Sequence, residues 1–248
     1  MTYHKDQEHR IEIGHKVPDF QLLDADGYEH NLSDYLGQKV MLCFYRYVFC
    51  PISGMSVGKL MGNYKKLAWA SQLKVVTVFR TKQGWLKQGL TSEDAPIARL
   101  CDGTTYPFLP LADPDGEAGA VFNVNNKSKL NHIISLASIR GEVMKYHGTA
   151  SLSTPTSRLE RKSIGARTLI PSEFLIDEHG VLVDVLRPEK YGETMAMDRI
   201  SYFLLFGKKL PEENDNVKNE RRKTIVSTRT RRLSSIGSRR WSIRIAKQ

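Results

Sequence analysis

The sequence predicts an α/β fold in which a central mixed sheet is flanked by helices. Two segments, 40–45 and 74–79, are continuous apolar runs of the kind found in strands that are covered on both faces. Between them, apolar side chains recur at near-helical spacing from Pro51 onward, which indicates a strand–helix–strand unit with a parallel strand pair. Two further apolar runs bracket Glu178-His179-Gly180 and predict an antiparallel hairpin near the end of the fold.

Turn signals and apolar spacing justify the other elements. Asp26-Gly27 predicts a hairpin turn, Gly37 ends a helical turn, and Asp113-Pro114-Asp115-Gly116 leads into a short helix. In chain order, the predicted elements are strands 20–24 and 28–31, a helical turn at 32–36, strand 40–45, a helix from Pro51 to about 68, strand 74–79, helices 83–90 and 93–101, strand 109–112, a short helix ending at Phe122, strands 174–177 and 181–186, and a helix over 194–206.

The 248 residues are enough for one large domain with appendages. We expect a mobile lead at 1–10, the α/β domain at 11–210 and a disordered basic tail at 211–248, which has few large apolar groups. Residues 125–168 are expected to be an insertion before the last hairpin. Within it, 129–146 fits either a helix or strands broken at Gly141, and 149–157 is rich in Ser, Thr and Pro, as loops are.

Composition indicates the cellular compartment to expect for the chain. Hydrophobic residues make up 40% of the chain, but no run approaches the roughly 18 apolar residues of a membrane span. The first ten residues are too polar for a signal peptide. The three cysteines, an odd number, do not suggest a disulfide framework. We therefore expect an intracellular, cytoplasmic protein.

The net charge of +10 belongs to the tail. Residues 217–248 contain eleven Lys and Arg and one acidic residue, Glu220, which leaves residues 1–216 neutral. The tail therefore has either an anionic partner, nucleic acid or an acidic membrane, or no fixed partner at all. Ser234 and Ser242 each follow a pair of arginines, which indicates sites for a basophilic kinase.

One cysteine stands where the buried strand gives way to the helix. Cys50 directly precedes Pro51, and proline suits the first turn of a helix because its missing N–H would have no partner there. The unpaired N–H groups of that turn favour the thiolate form of Cys50, the form that reacts as a nucleophile. Arg46 lies four residues upstream and adds positive charge. The pattern predicts a reactive thiol, with a small buried hydrophobe as the alternative.

The segment Phe44-Tyr45-Arg46-x-x-x-Cys50-Pro51-x-Ser53 resembles the active-site segment of the peroxiredoxin-like branch of the AhpC/TSA redoxins, which usually has the pattern FYR-x-x-x-C-P-x-C. Further similarity lies in Val17-Pro18-Asp19-Phe20, in Leu32-Ser33-Asp34-Tyr35-Leu36-Gly37, in Tyr106-Pro107-Phe108 with Asp113-Pro114-Asp115-Gly116, and in Pro171-Ser172-x-Phe174-Leu175-Ile176-Asp177. The resemblance extends over residues 11–124 and 169–206. It implies a thioredoxin-like fold, with an insertion before the last hairpin, and thiol-dependent redox chemistry.

Two departures from the family pattern bear on activity. Ser53 replaces the second cysteine, and Tyr47 stands where the peroxiredoxin signature has Thr or Ser. The resemblance therefore implies a one-cysteine oxidoreductase that reduces peroxides or disulfides through Cys50 and is regenerated by glutathione or a thioredoxin-type protein. The alternative is a non-catalytic redoxin-fold sensor or scaffold, located by its basic tail.

The resemblance also suggests roles for the residues around Cys50. Arg46 is expected either to orient the substrate and stabilise the thiolate or to be a surface arginine paired with a carboxylate. Ser53 is expected to hydrogen-bond the thiolate or to help satisfy the helix start. Pro171 resembles the cis-proline that faces the active cysteine, which predicts a cis Ile170–Pro171 bond.

The remaining cysteines and the histidines add little chemistry. Cys43 is predicted to be a core residue, and Cys101 resolves Cys50 only if the end of its helix lies close by. His132 and His147 are fifteen residues apart without other ligands at metal-binding spacing, so neither a metal nor a cofactor is expected.

Overall fold

The computed structural model of the chain describes residues 11–67, 70–93, 95–124, 137, 139–145, 156, 158–160 and 169–211. The predicted lead at 1–10, most of the insertion, and residues 212–248, with Ser234 and Ser242, lie outside these ranges. All the described elements belong to a compact unit that ends at Lys209.

A mixed seven-stranded sheet forms the centre of this unit, in the order β2-β1-β5-β4-β3-β6-β7. Its strands are β1 (Gln21–Asp24), β2 (Glu29–Asn31), β3 (Lys39–Tyr45), β4 (Leu73–Phe79), β5 (Leu109–Ala112), β6 (Ser172–Ile176) and β7 (Leu182–Leu186). Strands β3, β4 and β5 run parallel, and their carboxyl ends therefore meet at one edge of the sheet. The other neighbouring strands pair antiparallel.

Five α-helices accompany the sheet in the described part of the chain outside the insertion. They are α1 (Pro51–Tyr64), α2 (Gln83–Thr91), α3 (Pro96–Cys101), α4 (Glu117–Val121) and α5 (Met197–Phe206). Short 3-10 helices cover Leu32–Tyr35 and Ala70–Gln72.

The alternating side chains of β3 enter two separate cores. Met41, Cys43 and Tyr45 pack in the cluster that contains α1, and Leu42 and Phe44 pack on the other face with Phe174. Both faces of β3 are therefore buried, which is why its sequence is continuously apolar.

The predicted strands and helices are present, and the differences at their ends have physical reasons. Helix α3 begins at Pro96 rather than residue 93, because proline is favoured at the first helical position. Helix α5 begins at Met197 rather than residue 194, because the Met195 N–H donates to the Glu173 carboxylate and holds that segment outside the helix. Helix α1 ends at Tyr64, four residues before its predicted end, and the 3-10 helix Ala70–Gln72 follows it.

Parts of the insertion are described. Residues 139–145 are helical through Gly141, so the alternative of strands broken at Gly141 is wrong for this stretch. Thr156 and residues 158–160 are also helical, so the loop predicted for 149–157 is wrong at its carboxyl end.

Among the described residues, the helices are too short or too polar to cross a membrane. The same residues contain no cluster of three or more His, Cys, Asp or Glu side chains that is suited to a metal ion.

Candidate active site

Cys50 lies at the junction of β3 and α1, at the carboxyl edge of the parallel strands. It is the N-cap residue of α1, with extended backbone angles, and Pro51 occupies the first helical position. Its carbonyl accepts the Gly54 N–H at 3.0 Å, and its own N–H donates to the Tyr47 carbonyl at 3.0 Å. The N-cap makes no side-chain cap hydrogen bond, so the helix dipole faces the thiol without a competing cap oxygen.

Arg46 is the charged neighbour of Cys50. Its guanidinium group lies 5.7 Å from the ring centroid of Tyr47 and 5.2 Å from that of Tyr191, within the range of cation–π attraction. Burial lowers the pKa of Arg46, but its interactions with Cys50, Tyr191 and Tyr47 raise that pKa above the ordinary value overall. Arg46 is only 3% exposed, so the expectation of a surface arginine is wrong, and the arginine that interacts electrostatically with Cys50 is a buried cation.

Ser53 and Pro171 are both buried near this junction, but they differ from expectation. The Ser53 Oγ atom has no hydrogen-bond partner among the described residues, so neither bond expected of Ser53 is made. Pro171 precedes β6, and the register of β6 with β3 brings it beside the end of β3. The Ile170–Pro171 bond is trans, because cis bonds are absent from the described backbone. The cis prediction is therefore wrong, and trans is the form that most X–Pro bonds adopt.

A carboxylate from the insertion lies against the residues before Cys50. Glu160 accepts the Val48 N–H at 3.1 Å and the Phe49 N–H at 3.0 Å, and the Thr81 hydroxyl donates to the same carboxylate. The side chain is completely buried. Burial raises the pKa of Glu160 to about 7, although these hydrogen bonds oppose the rise.

Described residues of the insertion pack near α1. Ile139 and Val143 lie in the same buried cluster as Cys50. The Lys59 ammonium group of α1 lies 2.6 Å from the Glu142 carboxylate and donates to the Gly192 carbonyl at 2.6 Å. Cys50 itself is 2% exposed, so a substrate reaches its sulfur only after neighbouring groups move.

Sequence reasoning missed Glu160, Thr81 and Tyr191. Thr81 follows β4 at the carboxyl edge of the sheet, and this position was an available signal because ligands often bind at such edges. Glu160 stands between basic and apolar residues in the insertion and carries no pattern of its own. Tyr191 follows β7 in a turn that does not suggest contact with Arg46.

The other two cysteines are free and buried, like Cys50. Burial, followed by repulsion from Glu173, raises the pKa of Cys43 well above its ordinary value, which fits the predicted core role. Cys101 interacts electrostatically with Lys65, just past the end of α1. The 14 residues of α1 span about 21 Å, so Lys65 and Cys50 lie at opposite ends of the helix.

The profile of the AhpC/TSA family matches residues 13–185, which is well over half of the chain. The chain belongs to the AhpC/TSA family.

Solved structures of redoxins resemble this AhpC/TSA chain at low sequence identity. AhpC from Enterococcus faecalis is 14% identical, with a TM-score of 0.51, covering 81% of this chain and 98% of that one. The peroxidoxin BcpB from Mycobacterium tuberculosis is 16% identical, with a TM-score of 0.45 and coverages of 79% and 95%. A thiol peroxidase from Chromobacterium violaceum is 14% identical, with a TM-score of 0.45 and coverages of 80% and 88%. A comparison with curated proteins finds no significant match.

Family membership and the mixed seven-stranded sheet confirm the predicted thioredoxin-like α/β fold. The likeness to AhpC, at 14% identity, adds evidence for the fold alone. Membership in the AhpC/TSA family also supports thiol redox chemistry and a thiol reductant as partner.

Proposed function

We propose that the protein is a one-cysteine thiol oxidoreductase that reduces peroxides or disulfides through Cys50. With a peroxide, the Cys50 thiolate attacks one oxygen, the O–O bond breaks, and an alcohol or water leaves with a proton. The sulfenic acid condenses with an external thiol and releases water, and a second thiol then attacks the mixed disulfide and restores Cys50. Two thiols are oxidised for each peroxide reduced.

The observation that carries this proposal is the position of Cys50 at the N-cap of α1, where it interacts electrostatically with the buried Arg46. Arg46 interacts electrostatically with Cys50, where negative charge develops, and Cys50 is the N-cap of α1. Fixed donors and charges in a buried site stabilise such charge more effectively than they do in water. Among the three cysteines, Cys50 is the one that occupies a helix N-cap.

The reductant is proposed to be an external thiol, glutathione or a thioredoxin-type protein. Ser53 lacks the sulfur that a dithiol mechanism needs, and Cys43 is a buried core thiol. Cys101 is near Lys65, at the other end of α1 from Cys50. The sulfenic acid is therefore proposed to be resolved by a molecule from outside the chain.

The proposal is tested by intact mass after brief exposure of the reduced protein to a small excess of hydrogen peroxide with glutathione present. We expect one glutathione adduct that disappears when excess glutathione is supplied. Cys50→Ser should abolish the adduct, and Cys101→Ser should form it at the wild-type rate. Adduct formation no faster than with free cysteine would contradict the proposal.

Arg46 is proposed to stabilise charge at Cys50, and this is separately testable. Arg46→Met preserves much of the packing between the two tyrosine rings but removes the charge, and it should slow adduct formation by about 10- to 100-fold. Arg46→Lys should lose less, because it retains the charge without the planar stacking. Arg80→Met removes an arginine just after β4 and serves as the control. Equal rates in Arg46→Met and wild type would exclude this role.

A non-catalytic sensor is the second candidate. The burial of Cys50 and the presence of Tyr47 in place of Thr or Ser favour it. In that case Cys50 forms a mixed disulfide that persists when excess glutathione is added. The same mass measurement, followed over time, distinguishes a lasting adduct from repeated turnover.

A further inference from the structure

Three hydrogen-bond donors converge beside Cys50. They are the N–H groups of Val48 and Phe49, two residues and one residue before the cysteine, and the hydroxyl of Thr81. Val48, Phe49 and Thr81 are themselves buried, so water does not compete for these donors. They lie at the carboxyl edge of the parallel strands, one set following β3 and the other following β4.

We propose that these three donors form a carboxylate-binding subsite for a small thiol reductant, and that Glu160 fills the subsite until the reductant's own carboxylate replaces it. This inference rests on the proposed function, because it assigns the subsite to the thiol that regenerates Cys50. The ligand class is a low-molecular-weight thiol that carries a carboxylate, such as glutathione.

The donor arrangement fits a carboxylate. One oxygen of Glu160 accepts the Val48 N–H and the Thr81 hydroxyl, and the other accepts the Phe49 N–H. A carboxylate offers about four lone-pair positions on two oxygens and donates nothing, so it satisfies all three donors without conflict. A primary amide would fit less well, because its NH2 group would place donors where one carboxylate oxygen accepts. A hydroxyl would also fit less well, because its single oxygen cannot accept from all three donors.

Glu160 is suited to displacement because it is supplied by the insertion rather than by the sheet. In the described parts of the insertion, Ile139 and Val143 belong to the buried cluster that includes residues of α1, and the half-exposed Glu142 pairs with Lys59 of α1. Burial also raises the pKa of Glu160 to about 7. Keeping the Glu160 carboxylate ionised in this site therefore costs desolvation free energy. Because Cys50 is almost fully covered, any reductant has to enter by displacing neighbouring groups.

The first test removes the internal carboxylate and supplies a free one. Glu160→Ala should be stabilised by sodium acetate relative to sodium chloride at the same ionic strength. If acetate binds with a Kd on the order of 10 mM, 100 mM acetate raises Tm by about 3–5 °C. Neither the wild type nor Glu142→Ala, which loses a carboxylate of the same insertion, should show this rise.

If Glu160→Ala fails to fold in chloride, acetate should restore folding. Equal behaviour of Glu160→Ala in acetate and chloride, folded or unfolded, overturns the proposal.

The second test measures selectivity at Cys50 with two reagents that differ in one group, iodoacetate and iodoacetamide. Glu160→Ala should raise the ratio of their modification rates at least fivefold over wild type, and acetate should slow iodoacetate but not iodoacetamide. Glu160→Gln removes the charge but leaves a side chain over the donors, so its ratio should rise less. An equal rise in both variants would reflect charge alone and overturn the subsite.

The two proposals fail in different ways. The acetate effect on Tm does not depend on the reactivity of Cys50, so it can be present even if no glutathione adduct forms. An adduct that forms and turns over, without any acetate effect in Glu160→Ala, would leave the oxidoreductase in place and remove the carboxylate subsite.

Discussion

Glu173 is a carboxylic acid buried in a central strand, opposite Cys43 in the pairing of β6 with β3. Its Oε2 atom accepts the Met195 N–H at 2.6 Å. Burial raises the pKa of Glu173 to about 7, although this bond and the charges of Arg199 and Lys59 oppose the rise. The carboxyl group is thus held close to the point of titration at neutral pH.

The raised pKa predicts a stability change with a definite sign. The folded state holds the Glu173 proton more tightly than the unfolded state, whose carboxyl titrates at about 4.5. Glu173 therefore stabilises the fold below about pH 4.5, and this contribution is lost as the pH rises to about 7. Glu173→Gln keeps an acceptor for the Met195 N–H and removes the titration.

We expect Glu173→Gln to gain stability relative to wild type between pH 4.5 and 7, by about 1–3 kcal/mol in total. Urea denaturation of both proteins at pH 5 and pH 8 measures this difference. Glu189→Gln, at an exposed position, controls for the loss of one negative charge. A stability difference independent of pH would contradict the prediction.

Helix α2 packs closely against the loop before Cys50, and the point of contact on the helix is a glycine. A Cβ atom at Gly89 would lie 2.5 Å from both Cγ atoms of Val48, so the close contact requires glycine there. A Cβ atom at Gly84, in the same helix, would meet nothing within 4 Å. The two glycines should therefore respond to alanine with opposite signs.

Gly89→Ala is expected to destabilise the protein by about 1–3 kcal/mol, because overpacking outweighs the better helix propensity of alanine. Gly84→Ala should stabilise it by up to about 1 kcal/mol. Denaturation of both variants by urea tests the pair. Val48→Ala should relieve the Gly89→Ala penalty in the double variant, and a penalty that persists unchanged would show that Val48 is not its cause.

Ile139 and Val143 of the helical stretch 139–145 belong to the buried cluster that contains Cys50 and residues of α1. The approach of this stretch requires Gly192, since a Cβ atom there would lie 3.1 Å from Glu142, 3.2 Å from Met55 and 3.6 Å from Ile139. This packing joins the insertion to the residues that follow β7. We therefore expect the stretch to limit access to Cys50, which is 2% exposed.

Ile139→Ala should loosen this contact by about 2 kcal/mol or more and speed the modification of Cys50 by iodoacetamide roughly 30-fold. Met144→Ala, at an exposed position of the same stretch, should leave the rate unchanged. The modification of Cys101, followed by mass in the same samples, reports any general loosening. A parallel increase at Cys101 would assign the effect to global unfolding rather than to the insertion.

At the scale of the whole molecule, charge is divided along the chain. Residues 1–216 are neutral, and residues 217–248 carry the net charge of +10. The described core lies entirely before the basic segment. An anionic partner of the tail therefore remains a prediction, as do the kinase sites at Ser234 and Ser242 and the cytoplasmic location.

We expect the full chain to bind a single-stranded RNA oligomer with an affinity that falls as salt rises, by a log–log slope of roughly −0.7 per phosphate contacted. A form ending at residue 216 should lose this binding and keep its Tm. Fluorescence anisotropy across a salt series measures the slope. Binding that survives the truncation would assign it to the domain, and no binding by either form would leave the tail without this partner.

Outside the insertion, local patterns were enough to predict the main strands and helices. Strands 40–45 and 109–112 were predicted within one residue, because burial on both faces or a flanking turn leaves a clear local signature. The position of Cys50 at the start of a helix was also predicted, since Pro51 and the apolar spacing after it are local signals. Family resemblance supplied the thioredoxin-like topology, which local periodicity alone does not specify.

Outside the insertion, the amino-acid sequence was enough to predict the order and type of the main elements, the helix-capping position of Cys50 and the concentration of positive charge in residues 217–248. The three-dimensional structure was needed to show that Arg46 is buried within cation–π range of two tyrosine rings, that Cys50 is covered, and that the Ile170–Pro171 bond is trans. It also brought Glu160 to Val48, 112 residues earlier in the chain. Contacts between residues so far apart in the sequence depend on how whole strands and helices pack together. The residues that make these contacts carry no local sequence pattern.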